Sequence, residues 1–460
     1  MVVAHPELYR KFRNTDNIIR TKKTELASEL HSTYPHDYID VKTHNVIQRT
    51  KPWVDIVSPL RFGTMSHMDY ERWERDKKFG FTSLQPISID RILVLCVDFD
   101  DKPAQTPIET IYTRFFGDYT NSLKEYYREV SYGKYVPEGD IHGWYRAPNS
   151  SNYYSDGQSG FGTYPKSAEK LVEDTLDIAK DDPNIDWTSF DNNGNGYIDN
   201  IFVVHSGAEA AYTGDINDIW AHVYVIPNQK VIQDNTAWVY AMTSEYLEKP
   251  TDPQIIGGDV HEHGHQLGLP DLYDYTGESN GAGAYSLMGS GSWGDGGRTP
   301  THLDAWSKYI LGFADSIDDP VGPCYIDNAE INSDIIKYTT NDPKQYYLVE
   351  NRQKIQYDSF LPSDGIFIWR VNENQMDSQT YNNDRTCYLV GLVQADGFKD
   401  LENAANNGDA GDPYPGDSNN RVFGIDTNPS SELCSGTKQK ILIRNISDSS
   451  HSMTFDSHIK

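Results

Sequence analysis

Cysteine is scarce in this chain: four in 460 residues, Cys96, Cys324, Cys387 and Cys434, with no CxxC spacing among them. That removes the usual cysteine signals for a metal or redox motif. Cys96 lies inside the apolar run "RILVLCVDF" and reads as a buried thiol. One disulfide can form among the other three, and the sequence does not choose which, so the redox compartment stays open. Long apolar runs are also missing. None approaches the ~18 residues of a membrane span, and residues 91–99, the most apolar stretch, have the length of a buried strand. Basic charge is short as well, with 40 Lys+Arg against 68 Asp+Glu, a net charge of −28. Nucleic acid and anionic membrane surfaces would repel such a chain. A well-solvated surface or divalent-cation binding remains. The N-terminus "MVVAHPELYRKF" has no basic segment leading into an apolar one, so no secretory signal is visible in it. There is no internal repeat.

At this length two or three domains are expected. Residues 1–90 hold 14 of the Lys+Arg and 12 of the Asp+Glu, so the acidity lies beyond them and this region is chemically distinct. A polar helix is expected over 5–33 and irregular chain, broken by Pro52, Pro59 and Pro86, over 34–88. Three domains follow: an N-terminal extension, 1–87; a mixed α/β region, 88–315; and a β-rich C-terminal domain, 316–460. In the middle region 91–98, "IFVVH" and "AWVYAM" read as strands, and 107–117, 120–131 and the stretch opening at Pro165 as helices. "TPTHLDAWSKYILGF" offers Thr299 as N-cap and Pro300 at the first helical position. Beyond residue 316, "QYYLVENRQ", "GIFIWRVNE", "CYLVGLVQ" and "QKILIRNIS" are short β-type runs, while 403–420 is a polar loop too rich in Gly, Asp and Asn to form a core.

The chemistry concentrates in "DVHEHGHQLGLPDLYDY", residues 259–275. On a helix each residue turns about 100°, so His261 and His265 share a face and their imidazoles can converge on one ion. Glu262 lies beside them within reach of a water on that ion, the HExxH spacing of zinc peptidases. His263 points away and reads as a packing or surface residue. Gly268 can take positive φ and end the helix, and Pro270 stops it resuming. Asp271 then falls where a short carboxylate can swing back as third ligand, leaving one position for water. Asp274 is the rival for that place. A glutamate from a second helix is disfavoured, because position 285 is Tyr and Glu278 sits in a turn-rich stretch. Seventeen residues past Asp271 comes Met288, in "AYSLMGSGSW", whose thioether could floor the ligands. No tyrosine stands two residues after it.

A second metal is suggested by "FDNNGNGYIDN". Asp191, Asn193, Asn195 and Asp199, with the Tyr197 carbonyl, fit loop positions 1, 3, 5, 9 and 7 of a Ca²⁺ site. Position 12 is Phe202, so the EF-hand is incomplete and a further ligand must come from elsewhere. An Asx-rich turn is the competing reading. His205 and His222 read as core or surface histidines.

Taken together, "RILVLCVDFDDKP", "SLKEYYREVSYGKY", "GWYRA", "FDNNGNGYIDNIFVVHSG", "DIWAH", "HEHGHQLGLPDLYD", "YSLMGSGSW", "YYLVENRQ", "SDGIFIWRV", "QADG" and "GDAGDPYPG" resemble, in order, segments of the immune inhibitor A metallopeptidases, a metzincin-like group. The resemblance runs from about 88 to 455. It implies an α+β fold, with a mixed twisted sheet and an active-site helix followed by the β-rich domain. It also implies a zinc endopeptidase with His261, His265 and Asp271 as ligands and Glu262 as base, and calcium at 191–199. The family is usually secreted; the cytoplasm is the alternative here. Residue 263 is His where an aromatic is expected, and Arg370 stands where relatives often have His. Residues 1–87 fall outside the resemblance and suggest a pro-segment.

The expected protein is therefore a monomeric metalloendopeptidase acting on protein or peptide substrates, with no nucleic acid partner and no membrane span. The competing reading is a calcium-stabilised binding or scaffold protein with a vestigial zinc site, against which the intact Glu262 argues.

Overall fold

The most apolar stretch of the chain forms the centre of a sheet. The computed structural model describes residues 90–118, 121–250, 255–378 and 380–459, together with a short strand pair, β1 (Tyr38–Ile39) and β2 (Val46–Ile47). The helix expected over 5–33 and, apart from that strand pair, the rest of the 1–87 extension lie outside the described residues. Those described divide into two compact units: Asp90–Gly117 with Glu138–Gly268, and Asp118–Pro137 with Leu269–Lys460. The boundary expected at 315/316 falls inside the second of these. Several sheets and interspersed helices make the structure mixed α/β, and among the described residues no helix is long and apolar enough to cross a membrane.

In the first unit β3 (Arg91–Asp98), β4 (Glu138–Arg146), β5 (Ile201–His205), β6 (His222–Ile232) and β7 (Asn235–Ser244) form one sheet in the order β4-β3-β5-β7-β6. All neighbours are parallel except the edge strand β6, which runs antiparallel to β7. Central parallel strands are covered on both faces, which is why β3 and β5 read as continuous apolar runs rather than alternating ones. On one face Leu93, Leu95, Val97, Ile201 and Val203 pack with Leu171, Val172 and Leu176 of the helix Ala168–Ala179. On the other, Phe202 meets Phe115 of the helix Ile108–Phe116 at 5.1 Å and His263 of the helix Gly257–Gln266 at 6.0 Å. The chemistry-bearing helix thus lies on a sheet face, with its polar residues shielded from water.

The second unit holds β8 (Asp315–Asp318), β9 (Gly322–Asp327), β10 (Asp334–Tyr338), β11 (Gln345–Arg352), β12 (Gly365–Asn372), β13 (Val390–Leu392), β14 (Val422–Gly424), β15 (Ile441–Arg444) and β16 (Ser452–Ile459). They make two sheets, β13-β12-β11-β10-β8 and β14-β15-β16-β9. Tyr347, Val349, Ile366 and Ile368 from the first share a core with Ile326, Phe423, Ile443, Met453 and Phe455 from the second. Side chains alternate along a strand, so the same β11 that sends Tyr347 and Val349 into that core turns Glu350 and Arg352 to its opposite face. All eight residues of β11 are buried.

Three expectations change here. The helix expected to start at Thr299 and Pro300 spans Ala305–Ile310 and is capped by Asp304, whose Oδ1 accepts from Ser307 N–H at 3.0 Å. Tertiary partners hold the intervening backbone out of the helix: His302 N–H donates to Asp358 Oδ1, and the Thr301 and His302 carbonyls accept from Tyr126 Oη–H and Leu287 N–H. The polar loop 403–420 contributes a core residue after all, since Tyr414 is fully buried and its backbone pairs with Ile366. The disulfide left open by the sequence joins Cys387 and Cys434, leaving Cys96 and Cys324 as buried thiols.

Candidate metal centre

The helix Gly257–Gln266 is anchored at its first turn. Asp259 lies there, where the helix dipole favours an acid, and receives the buried Arg114 guanidinium on both oxygens: Nε to Oδ2 at 2.8 Å and Nη2 to Oδ1 at 2.9 Å. Arg114 also donates to the Ser244 and Glu245 carbonyls and to Thr243 Oγ1, which ties the helix to the end of β7. Such a paired, two-point contact fixes both position and rotation of the helix. At the other end Gln266 Nε2 donates to the Ile201 carbonyl of β5 at 2.9 Å.

With the helix so held, His261 and His265 sit one turn apart, ring centroids 4.8 Å from each other and nearly perpendicular. Leu267 N–H closes the last turn on the His263 carbonyl, and Gly268 follows at φ +95°, the left-handed conformation that a side chain would resist. The chain then folds back, so that along this one continuous stretch the ligand atoms of His261, His265 and Asp271 lie within 4.8 Å of one another. All three residues are buried, as is Glu262. Two imidazoles and one carboxylate are a donor set suited to a divalent zinc-type ion, whose three-ligand sites keep one position open. Among the described residues no other trio of His, Cys, Asp or Glu is placed so closely.

Asp274, the rival ligand, is committed elsewhere. Its Oδ1 accepts from Thr276 N–H and Oγ1, and its Oδ2 from Ser279 N–H and Oγ. His263 packs on Phe202 and hydrogen-bonds Gln266 Oε1 at 3.0 Å. His222 engages Tyr240 Oη and the Trp220 carbonyl, and burial holds the His205 imidazole down at about 4. Neither belongs to the trio. Met288 is buried in a tight turn in which Gly289 N–H donates to the Ser286 carbonyl, and its own carbonyl accepts from Leu272 N–H at 2.8 Å.

The 190–200 stretch forms a compact loop entering β5. Asp191 accepts from the backbone N–H groups of Gly194, Asn195 and Gly196, and Asn193 Nδ2 donates to Asp199 Oδ1 at 2.8 Å. Burial pushes the Asp199 carboxyl up to about 8, and the negative charges of Asp191 and Asp90 add to the rise. Asn235, from the start of β7, reaches Asp191 Oδ2 through Nδ2 at 3.4 Å, and its Oδ1 is buried with no hydrogen-bond partner among the described residues. The loop therefore gathers oxygens and crowds negative charge.

The sequence reading missed Arg114, Asp259 and Glu209. Asp259, an acid in the first helical turn, was visible; Arg114, more than a hundred residues away, was not. Glu209 is a second buried carboxylate, accepting from Ala211 and Ala221 N–H, pushed up to about 7 by burial with the Glu262 charge contributing.

Comparison with known proteins finds similarity to metallopeptidases. Residues 106–313 match the family model described as immune inhibitor A peptidase M6, catalytic domain. The chain is 30% identical over 272 residues to the pre-pro-metalloprotease PrtV of Vibrio cholerae serotype O1 (strain M66-2), covering 48% of this chain and 29% of the relative. It is 32% identical over 220 residues to immune inhibitor A of Bacillus thuringiensis subsp. alesti, covering 42% of this chain and 32% of the relative. The matched part thus spans under a third of each relative's own length.

Proposed function

We propose that this chain is a zinc-dependent endopeptidase in which His261, His265 and Asp271 hold the ion and Glu262 is the general base. The observation that carries the reading is the convergence of those three buried ligand atoms. A zinc ion bound there would polarise a scissile carbonyl and lower the pKa of a water toward ~7. The Glu262 carboxylate takes the proton of the attacking water and returns it to the leaving amine nitrogen. Arg114 and Asp259 keep the helix still while it does so, and Met288 floors the ligands. Substrate lies extended along β6, the edge strand on which the active-site helix packs, and adds its backbone to the sheet.

Calcium belongs in the 191–199 loop, held by Asp191, Asn193, Asn195, the Tyr197 carbonyl and Asp199. The crowded charge there and the buried Asn235 Oδ1 support it, with Asn235 as the further ligand that the loop lacks. Its role is structural, since the loop leads directly into β5. The Cys387–Cys434 disulfide supports an oxidising compartment and hence secretion. The protein acts as a monomer on unstructured protein segments, with residues 1–87 as a pro-segment and 316–460 as a β-rich C-terminal domain.

The test is hydrolysis of casein. Cleavage by zinc-loaded protein, stopped by 1,10-phenanthroline and restored by added zinc, is expected. No cleavage, even after removal of residues 1–87, would favour the scaffold reading instead.

A further inference from the structure

The loop that carries Asp271 is braced from within the matched peptidase region and, at residues 382–383, from beyond it. Leu272 N–H donates to the Met288 carbonyl, and the Leu272 carbonyl accepts from Ala282 N–H and from Asn382 Nδ2, each at 2.8 Å. Asn382 is buried and is itself locked to Val390 of β13, donating to its carbonyl and accepting from its N–H. The next residue, Asn383, accepts from Tyr275 N–H at 2.8 Å through Oδ1. Tyr275 then returns to the ligand: its hydroxyl donates to Asp271 Oδ2 at 2.5 Å, while its ring leans edge-on against Tyr273 at 5.3 Å.

A carboxylate ligand can rotate, and it offers two oxygens to an ion. A hydroxyl fixed on one of them stops the rotation and selects how the carboxylate meets a metal. Outer partners of this kind change metal affinity by 10–100-fold when removed.

We propose that Tyr275 is a positioning residue for Asp271, and that Asn383 holds Tyr275 in place, so that residues 382–383 help set the affinity of a metal centre built 110 residues earlier. The proposal rests on Asp271 being a ligand. Tyr275 is about half exposed, so the effect is on the ion rather than on folding.

The test is zinc affinity of the full chain, measured by competition with a chromogenic chelator, for the parent, Tyr275→Phe, Asn383→Ala, their double variant and Asp271→Ala. Tyr275→Phe should weaken zinc binding about 10–100-fold, with the melting temperature of the zinc-free protein unchanged. Asn383→Ala should weaken it less, and the double variant should stay within about twofold of Tyr275→Phe, as expected for two groups acting through one contact. Parent-like affinity in Tyr275→Phe, with binding lost in Asp271→Ala, overturns the positioning role alone. A Tyr275→Phe protein that keeps its zinc but loses turnover overturns it too and makes the hydroxyl a substrate contact. Full additivity of the two variants removes Asn383 from the chain of support. Parent-like affinity in Asp271→Ala overturns both this proposal and the ligand assignment beneath it.

Discussion

A Glu262→Gln protein should keep its zinc and its fold while kcat on casein falls by about 10²–10⁴-fold, the usual contribution of a positioned general base. The amide matches the carboxylate in size and can still hydrogen-bond, but it cannot accept a proton from water. Nothing that shapes the centre depends on that proton. The proposed ligand atoms are those of His261, His265 and Asp271, and the helix is fixed by Asp259 on Arg114 and by Gln266 on the Ile201 carbonyl. Zinc content and turnover should therefore separate in this variant. Measured kcat close to that of the parent would remove Glu262 from the mechanism, and simultaneous loss of zinc would show that its role is in building the site.

The second large effect concerns the charged face of β11. Arg352 and Asp358 are fully buried and paired through two contacts, Nε to Oδ2 at 2.8 Å and Nη2 to Oδ1 at 2.6 Å. Arg352 also donates to the Tyr285 carbonyl, while Ser286 Oγ donates to Asp304 Oδ2 at 2.7 Å. The pair therefore supports the turn that presents Met288. Burial alone would raise the Asp358 pKa; the Arg352 guanidinium outweighs it, with His302 and Lys308 helping, and holds the carboxyl well below its ordinary value. Replacing Asp358 with Asn leaves the guanidinium buried beside a neutral amide, which should cost about 3–5 kcal/mol. In thermal unfolding that is a drop of roughly 6–20 °C for a unit of this size. The pH dependence has a definite sign. A depressed folded pKa stabilises fully above the unfolded value near ~3.9, and the contribution fades as pH falls from there through the folded value. Urea midpoints followed from pH 7 to pH 3 should fall steeply in the parent below about pH 4 and less steeply in Asp358→Asn. Equal midpoints for the two proteins at pH 7 would show that the pair contributes nothing.

What the sequence revealed and what it hid divide along the range of the interactions. "RILVLCVDF" and "IFVVH" read as buried strands because central parallel strands need apolar residues on both faces. Histidines one turn apart, a glycine bend and a following aspartate are all local, so the metal stretch could be assembled on paper, and Gly268 takes the positive φ that its position suggested. The helix start at 299–300 went astray because Thr299 and Pro300 make a good local signal, while the partners of residues 301 and 302 come from Tyr126, Leu287 and Asp358. The polar loop gave no hint of Tyr414 in the core, since composition averages over the one residue that matters. The disulfide was undecidable for the same reason: pairing depends on which loops the sheets bring together. Arg114 on Asp259 and Asn383 on Tyr275 are long-range, and Arg352 on Asp358, though six residues apart, joins a strand end to the turn that follows it; no spacing rule points to any of them.

Diffraction from zinc-loaded crystals on either side of the zinc absorption edge tests the central claim most directly. The account expects one strong anomalous peak about 2.0–2.2 Å from an imidazole nitrogen of His261, one of His265 and a carboxylate oxygen of Asp271. A peak bonded to other side chains, or an Asp271 carboxylate turned away from the ion with nothing in its place, would contradict it.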